Sequence, residues 1–288
     1  MHRFWTRFIQ PIVETAAPRR IMEIGAEFGW NTEPLLDYCR QTGARLEVID
    51  PAPPPALHDV LARFDTEYTY HPRKSLDVIP LIAPVDLILL DGDHNWFTVY
   101  NELQAIFRRA TETGTLPPII VFHDVAWPYA RRDMYYDPLD LDPSARHPYA
   151  SRGMVPGRSE LSDTGINGRF HNALHEGGPR NGVLTAIEDF QAGVGVEMAF
   201  HKLPFFNGLG ILVPAVRSTP ALAAVIEGLF SPESLLETCV ALEADGMLVR
   251  VQLTEYQIAL TQKTEALTRA RSTIDALRAE LKALKPDS

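Results

Sequence analysis

The sequence predicts an α/β protein: a doubly wound, mostly parallel sheet followed by a long helical extension. Three observations carry this expectation. Short apolar runs at 21–24, 46–49, 85–90 and 119–122 alternate with helix-compatible stretches, the rhythm of βαβ units. The first run ends abruptly in Gly25 and Gly29, just before a helical stretch. Near the end of the chain, Leu253, Leu260, Leu267, Ile274 and Leu281 recur every seven residues.

The composition fits a soluble domain with appendages. A chain of 288 residues, 45% hydrophobic and 22% charged, has room for a sizeable core. A net charge of −10 argues against general affinity for nucleic acid or anionic membrane, and the local pair Arg131-Arg132 does not reverse that. Cys39 and Cys239 are far apart and show no zinc spacing, so both are expected as buried free thiols in a reducing cytoplasm. The first eleven residues mix Arg with aromatics and lack an apolar signal-peptide core. No run reaches the ~18 apolar residues of a membrane helix.

Taken in order, residues 2–17 read as a leading helix, with Phe4, Phe8 and Ile12 on one face and Pro11 interrupting it or opening a second turn. The strand Ile21–Ile24 then runs into the glycine turn. Gly25 allows a positive φ, Gly29 allows close approach to a ligand, and a helix over 32–40 offers free N–H groups at its start. Such a turn opens a nucleotide pocket at the carboxyl edge of a sheet. The glycine spacing is not that of the dinucleotide fingerprint.

A second strand, 44–50, ends in Asp50, 25 residues after Gly25. That offset suits a ribose-binding acid; the plainer alternative is a turn or N-cap Asp before the prolines at 51–55. A helix over 58–64 and a strand over 66–71 follow. Ser75 then either meets a base edge or caps a helix over 76–82, two compatible roles.

The run 85–90 suits a central strand buried on both faces, and it ends in Asp91-Gly92-Asp93-His94. After a helix over 97–110, the run 117–122 repeats the design and ends in His123-Asp124. Parallel strands bring their carboxyl ends to one edge, so Glu27, Asp50, Asp91, Asp93, His94, His123 and Asp124 are expected along one rim. Such a set can hold a hard divalent cation, Mg²⁺ or, with a His ligand, Mn²⁺ or Fe²⁺; alternatively it caps helices without metal.

Residues 125–180 show no sustained periodicity and are rich in Pro, Gly, Arg, Tyr and His. So long a loop is expected to be a lid or binding segment over the rim, or else a dimer-contact arm or a partly disordered segment. A helix over 182–191 and two closing strands, 196–201 and 209–213, complete the domain. The expected boundaries are a domain over 1–217, a helical linker over 218–248 and a coiled coil over 249–286 that dimerises or docks a partner. Tyr256, Lys263, Ala270, Leu277 and Leu284 form its second seam, with Lys263 a flaw.

The turn Glu23-Ile24-Gly25 to Gly29, with Asp50 after the second strand, Asp91 after the fourth and a closing strand pair, resembles the class I S-adenosylmethionine-dependent methyltransferases over residues 18–215. More narrowly, the glycine turn with Asp-Gly-Asp-His and His-Asp resembles metal-dependent small-molecule O-methyltransferases, relatives of the catechol, macrolide-sugar and cephalosporin-tailoring enzymes. The resemblance implies a seven-stranded Rossmann-like methyltransferase fold. It implies a cofactor site of Glu23, Gly25, Glu27, Gly29, Asn31, Asp50, Ser75 and Asp91 for S-adenosylmethionine. It implies a Mg or Mn site of Asp91, His123 and Asp124, although the family's usual pair after strand five is Asp-Asn or Asp-Asp. It places His94 where the catechol enzymes carry a Lys base, and His is a suitable base near neutral pH. The reaction implied is methyl transfer to a hydroxyl of a small molecule or saccharide. Competing readings are a metal-independent enzyme using His94 or His123 alone, and a non-catalytic scaffold that docks a partner through the coiled coil. A nicotinamide enzyme is disfavoured by the glycine spacing.

Overall fold

The computed structural model describes residues 1–65 and 67–283. Thr66, the expected start of the third strand, and Leu284 with residues 285–286 of the expected coiled coil lie outside them. The chain divides into two compact units, Met1–Ile226 and the part from Glu227 onward.

In the first unit, β1 (Arg20–Ile24), β2 (Arg45–Ile49), β3 (Tyr68–His71), β4 (Leu87–Leu90) and β5 (Ile119–His123) are parallel. Two later strands, Met198–Leu203 and Leu209–Pro214, form an antiparallel hairpin whose second strand pairs with β5. The seven strands, taken across the sheet, are β3, β2, β1, β4, β5, then Leu209–Pro214 and Met198–Leu203. The order reverses between β1 and β4, and ligands of open α/β sheets bind at that point, outside the carboxyl ends.

Burial explains why these segments are strands. All four residues of β4 and the first four of β5 are buried, as apolar runs covered on both faces should be. Each fully buried Leu or Ile contributes roughly 1.5–3 kcal/mol. The helices that cover them are α1 (Gln10–Ala16), α2 (Thr32–Thr42), α3 (Pro55–Leu61), α4 (Ser75–Val78), α5 (Trp96–Thr113) and α6 (Val183–Val194). Asn95 caps α5 by accepting from Thr98 N at 2.8 Å, and Gly114 ends it at φ 65°. Phe107 of α5 meets Phe190 of α6 edge-on, with centroids 4.8 Å apart.

Several expectations need correction. The leading segment is not one helix: a 3-10 turn, His2–Phe4, and a π turn, Trp5–Ile9, precede α1, which Pro11 opens. Phe4, Phe8 and Ile12 are buried as expected. The helix expected over 76–82 is the single turn α4, and Ser75 caps nothing; its hydroxyl donates to Glu102. Cys39 is buried, but Cys239 is exposed.

Residues 125–182 are not structureless. They build a three-stranded sheet from β6 (Met134–Tyr135), β7 (Tyr149–Ala150) and β8 (His171–Ala173), with β8 in the centre. Tyr129, Met134, Met154 and Leu161 form its own small core. With those strands counted, the closing hairpin is β9 (Met198–Leu203) and β10 (Leu209–Pro214).

Beyond α7 (Pro220–Leu229), α8 runs unbroken from Pro232 to Ala283, so the boundary expected at 248 falls inside one helix. Leu253, Leu260, Leu267, Ile274 and Leu281 are all exposed on it. Among the described residues, no helix is long and apolar enough to cross a membrane.

Candidate active site

The crevice at the β1–β4 reversal is built by backbone. Gly25 takes φ 83°, and a Cβ there would lie 2.1 Å from the Asp91 carbonyl oxygen. Only glycine lets the end of β1 pass this close to the end of β4. Gly29, at φ 81°, makes its close approach to α3, where a Cβ would meet Val60 Cγ2 at 2.9 Å and Leu57 Cδ1 at 3.2 Å. Its conformational freedom thus serves packing of the turn against α3.

Asp50 closes the turn from the β2 side. Its Oδ2 accepts from Glu27 N at 2.9 Å and its Oδ1 from Ala52 N at 3.0 Å. Each oxygen keeps a second lone pair that a ribose hydroxyl could use. Glu23 is 2% exposed, accepts from the Thr32 hydroxyl at 2.6 Å, and is pushed up to about 8, chiefly by burial. Glu27, left-handed at φ 48°, is raised by burial and then by the Asp91 charge. Asn31 precedes α2, and its buried Oδ1 has no partner. Ser75 is buried against Glu102.

The rim holds a compact set of two carboxylates and two imidazoles. His123 Nδ1 lies 3.1 Å from Asp91 Oδ1 and 2.9 Å from Asp124 Oδ2. His94 Nε2 lies 2.8 Å from Asp124 Oδ2 and 3.7 Å from Asp91 Oδ1. The second oxygen of Asp91, Oδ2, accepts from the Met1 ammonium at 3.0 Å. Two buried atoms have no partner: His94 Nδ1 and Asp124 Oδ1.

The charges of this set act on one another at hydrogen-bond distance. Burial alone would raise Asp91 and Asp124, but His123 and the Met1 ammonium at Asp91, and His94 and His123 at Asp124, outweigh it and hold both carboxyls well below the usual range. Burial alone would lower the two rings, yet the carboxylates win: His94 is raised well above its ordinary value, mainly by Asp124, and His123 to about 9, mainly by Asp91.

Asp91, His123 and Asp124 each offer one ligand atom, all within 4.8 Å of one another. Neighbouring donors about 2.1 Å from a six-coordinate ion stand about 3.0 Å apart, which matches the 3.1 and 2.9 Å separations. The donor set suits a divalent cation. The cofactor side fits a nucleoside as well, with a positive-φ glycine turn, a carboxylate with spare lone pairs and an orphaned amide oxygen.

The segment 125–182 is tied to this rim. His94 O accepts from Met134 N at 3.0 Å. Asp133, 1% exposed, accepts from Trp96 N and Gly182 N, each at 2.7 Å, at the starts of α5 and α6. Tyr129 and Tyr136 flank the His94 ring, with centroids 5.2 and 5.9 Å away. Neither tyrosine is singled out by sequence pattern; the only signal is that Trp127-Pro128-Tyr129 follows His123-Asp124 at once.

Residues 22–125 match the family model described as "Methyltransferase domain". No curated protein matches the sequence. Similar solved structures include the SAH-bound Podospora anserina methyltransferase PaMTH1, at 17% identity and TM-score 0.43, covering 71% of this chain and 76% of that one. A second is the Burkholderia thailandensis 1,6-didemethyltoxoflavin-N1-methyltransferase, at 12% identity and TM-score 0.39, covering 71% and 77%. A third is human N-acetylserotonin methyltransferase in complex with SAM, at 13% identity and TM-score 0.41, covering 74% and 53%. Residues 22–125, the stretch that matches the methyltransferase model, carry the glycine turn and the β1–β4 reversal of the sheet.

Proposed function

We propose that the protein transfers a methyl group to a hydroxyl of a small molecule or sugar, with His94 as the general base. The observation that carries this is the His94–Asp124 pair. With Nε2 held on Asp124 at 2.8 Å, the ring's free nitrogen, Nδ1, is buried and partnerless. A base oriented by a carboxylate on one nitrogen presents its other nitrogen to a substrate proton. Tyr129 and Tyr136 would flank the acceptor and keep water from the ring.

Asp50 would hold the ribose hydroxyls of the cofactor, and Gly25, Glu27, Gly29 and Asn31 would line its methionine end. Glu23 would support the turn through Thr32, and Ser75 would stand toward the base. S-adenosylmethionine supplies the methyl. Asp91, His123 and Asp124 would hold Mg or Mn, and such an ion lowers the pKa of a bound hydroxyl. The Asp124 charge that raises His94 is also the charge a cation neutralises, so metal binding and a neutral base go together.

A metal-independent reaction is the second reading. It is favoured by His123 Nδ1 lying within 3.1 Å of both carboxylates, which neutralises the set internally. Transfer from isotopically labelled S-adenosylmethionine to a panel of phenols and glycosides, with and without a chelator, tests both. Loss of O-methylation on chelation and in His94→Ala is the expected result. Transfer that survives chelation selects the second reading, and transfer to nitrogen acceptors alone overturns the assignment.

The exposed seven-residue stripe on α8 supports a parallel two-stranded coiled coil with a second copy of the chain. A chain ending at residue 249 should sediment as a smaller species than the full chain; equal sedimentation would contradict the dimer.

A further inference from the structure

The turn between β9 and β10 reaches into the rim. Phe206 and Asn207 both adopt left-handed backbone, with φ 47° and 69°, and Gly208 follows at 96°. Two successive non-glycine residues rarely take this conformation. Here they are pinned: Asn207 O accepts from Ala126 N at 2.7 Å, and Gly208 N donates to Phe205 O at 2.7 Å. A Cβ on Gly208 would lie 2.4 Å from Ala126 N, so only glycine fits. The Phe206 ring is held from the other side, with the Arg3 guanidinium 3.8 Å from its centroid and the Phe4 ring at 5.6 Å.

The consequence is where the Phe206 carbonyl points. Its oxygen lies 3.0 Å from His123 Nε2. A carbonyl can only accept, so Nε2 must carry hydrogen. The nitrogen that faces Asp91 and Asp124 is then Nδ1. We propose that Phe206 is a positioning residue: its carbonyl, aimed by the left-handed turn, fixes the hydrogen on Nε2 of His123 and delivers Nδ1 to the Asp91–Asp124 pair. Outer partners of this kind orient a ligating imidazole and set its tautomer. The value of that orientation to catalysis rests on the proposed metal-holding role of the cluster.

The test is a long-range ¹H–¹⁵N spectrum of the metal-free full chain above about pH 9, where the His123 ring is neutral and holds one hydrogen, with His123 identified by its loss in His123→Gln. Expected is a hydrogen-bonded Nε2–H resonance, retained in Phe206→Gly, which adopts positive φ freely, and lost in Phe206→Pro, whose ring fixes φ near −65°. A wild-type His123 with no hydrogen on Nε2 would overturn the proposal even if Phe206→Pro did not fold. So would an unchanged resonance in a folded Phe206→Pro. Mn²⁺ titration followed by electron paramagnetic resonance should show about 10–100-fold weaker binding in Phe206→Pro than in Phe206→Gly; equal affinities would overturn the role in ligation. A wild-type chain that binds no Mn²⁺ would instead overturn the metal reading, and the imidazole resonance would still decide the role of the carbonyl.

Discussion

His94 Nε2 stands 2.8 Å from Asp124 Oδ2, joining the residue that follows β4 by four positions to the one that follows β5 directly. The pair fixes the ring's direction, and the backbone of His94 is itself held by Met134 of β6. Replacing His94 by Ala should lower kcat by about 10²–10⁴-fold with little change in cofactor affinity. Asp124→Asn should lower it through loss of orientation while the chain stays folded. Steady-state kinetics with parallel calorimetry of S-adenosylhomocysteine checks this, and undiminished kcat in either variant would remove the pair from the reaction.

Asp50 joins the glycine turn to β2 through its bonds to Glu27 N and Ala52 N. Asp50→Ala should weaken S-adenosylhomocysteine binding by roughly 10–100-fold, the value of one or two charge-assisted hydrogen bonds. Calorimetry reads the change directly. Unchanged affinity would place the ribose elsewhere.

Gly25→Ala should be costly on two counts. Its φ of 83° disfavours any side chain, and the added Cβ would sit 2.1 Å from the Asp91 carbonyl oxygen. A loss of about 2–4 kcal/mol in a urea titration is expected, together with loss of cofactor binding. A variant as stable as wild type would show that the β1 and β4 ends are not in close contact.

Glu102 gives a pH dependence. It lies fully buried, and burial, opposed by the Ser75 hydrogen bond, pushes its carboxyl from 4.5 up to about 8. The folded chain therefore holds this proton more tightly than the unfolded chain. The contribution to stability is fully present below about pH 4.5, declines as pH rises toward 8, and is flat beyond. Glu102→Gln should remove that slope and gain about 2–4 kcal/mol over wild type near pH 8. Denaturant titrations at several pH values check the sign; a gain confined to low pH would contradict it.

Much of the sheet was legible because period and burial agree. The runs ending in Leu90 and Phe122 are apolar throughout and the run ending in Ile24 is broken only by Glu23, as strands covered on both faces demand. The rim residues followed from topology, since parallel strands put Asp91 and His123-Asp124 on one edge. The order of residues 125–182 was not legible, because it comes from single long-range groups. Asp133 gathers Trp96 and Gly182, and the buried Arg132 guanidinium donates to the carbonyls of Ala173 and Ser159. Such contacts leave no periodic trace. Ser75 misled for a related reason: a serine before a helical stretch reads as a cap, but a buried carboxyl on α5 attracts its hydroxyl instead. Cys239 sits among apolar neighbours in sequence on a helix whose apolar stripe is exposed, so local context could not show its surroundings.

The most direct test of the rim as a metal and cofactor site is anomalous scattering at the manganese edge from crystals grown with Mn²⁺ and S-adenosylhomocysteine. A single peak shared by Asp91, His123 and Asp124 is expected, with the nucleoside on Asp50 and the sulfur beside the Gly25 turn. A bound nucleoside with no manganese among those three residues would contradict the metal role, and a nucleoside lodged away from Gly25 and Asp50 would contradict the site itself.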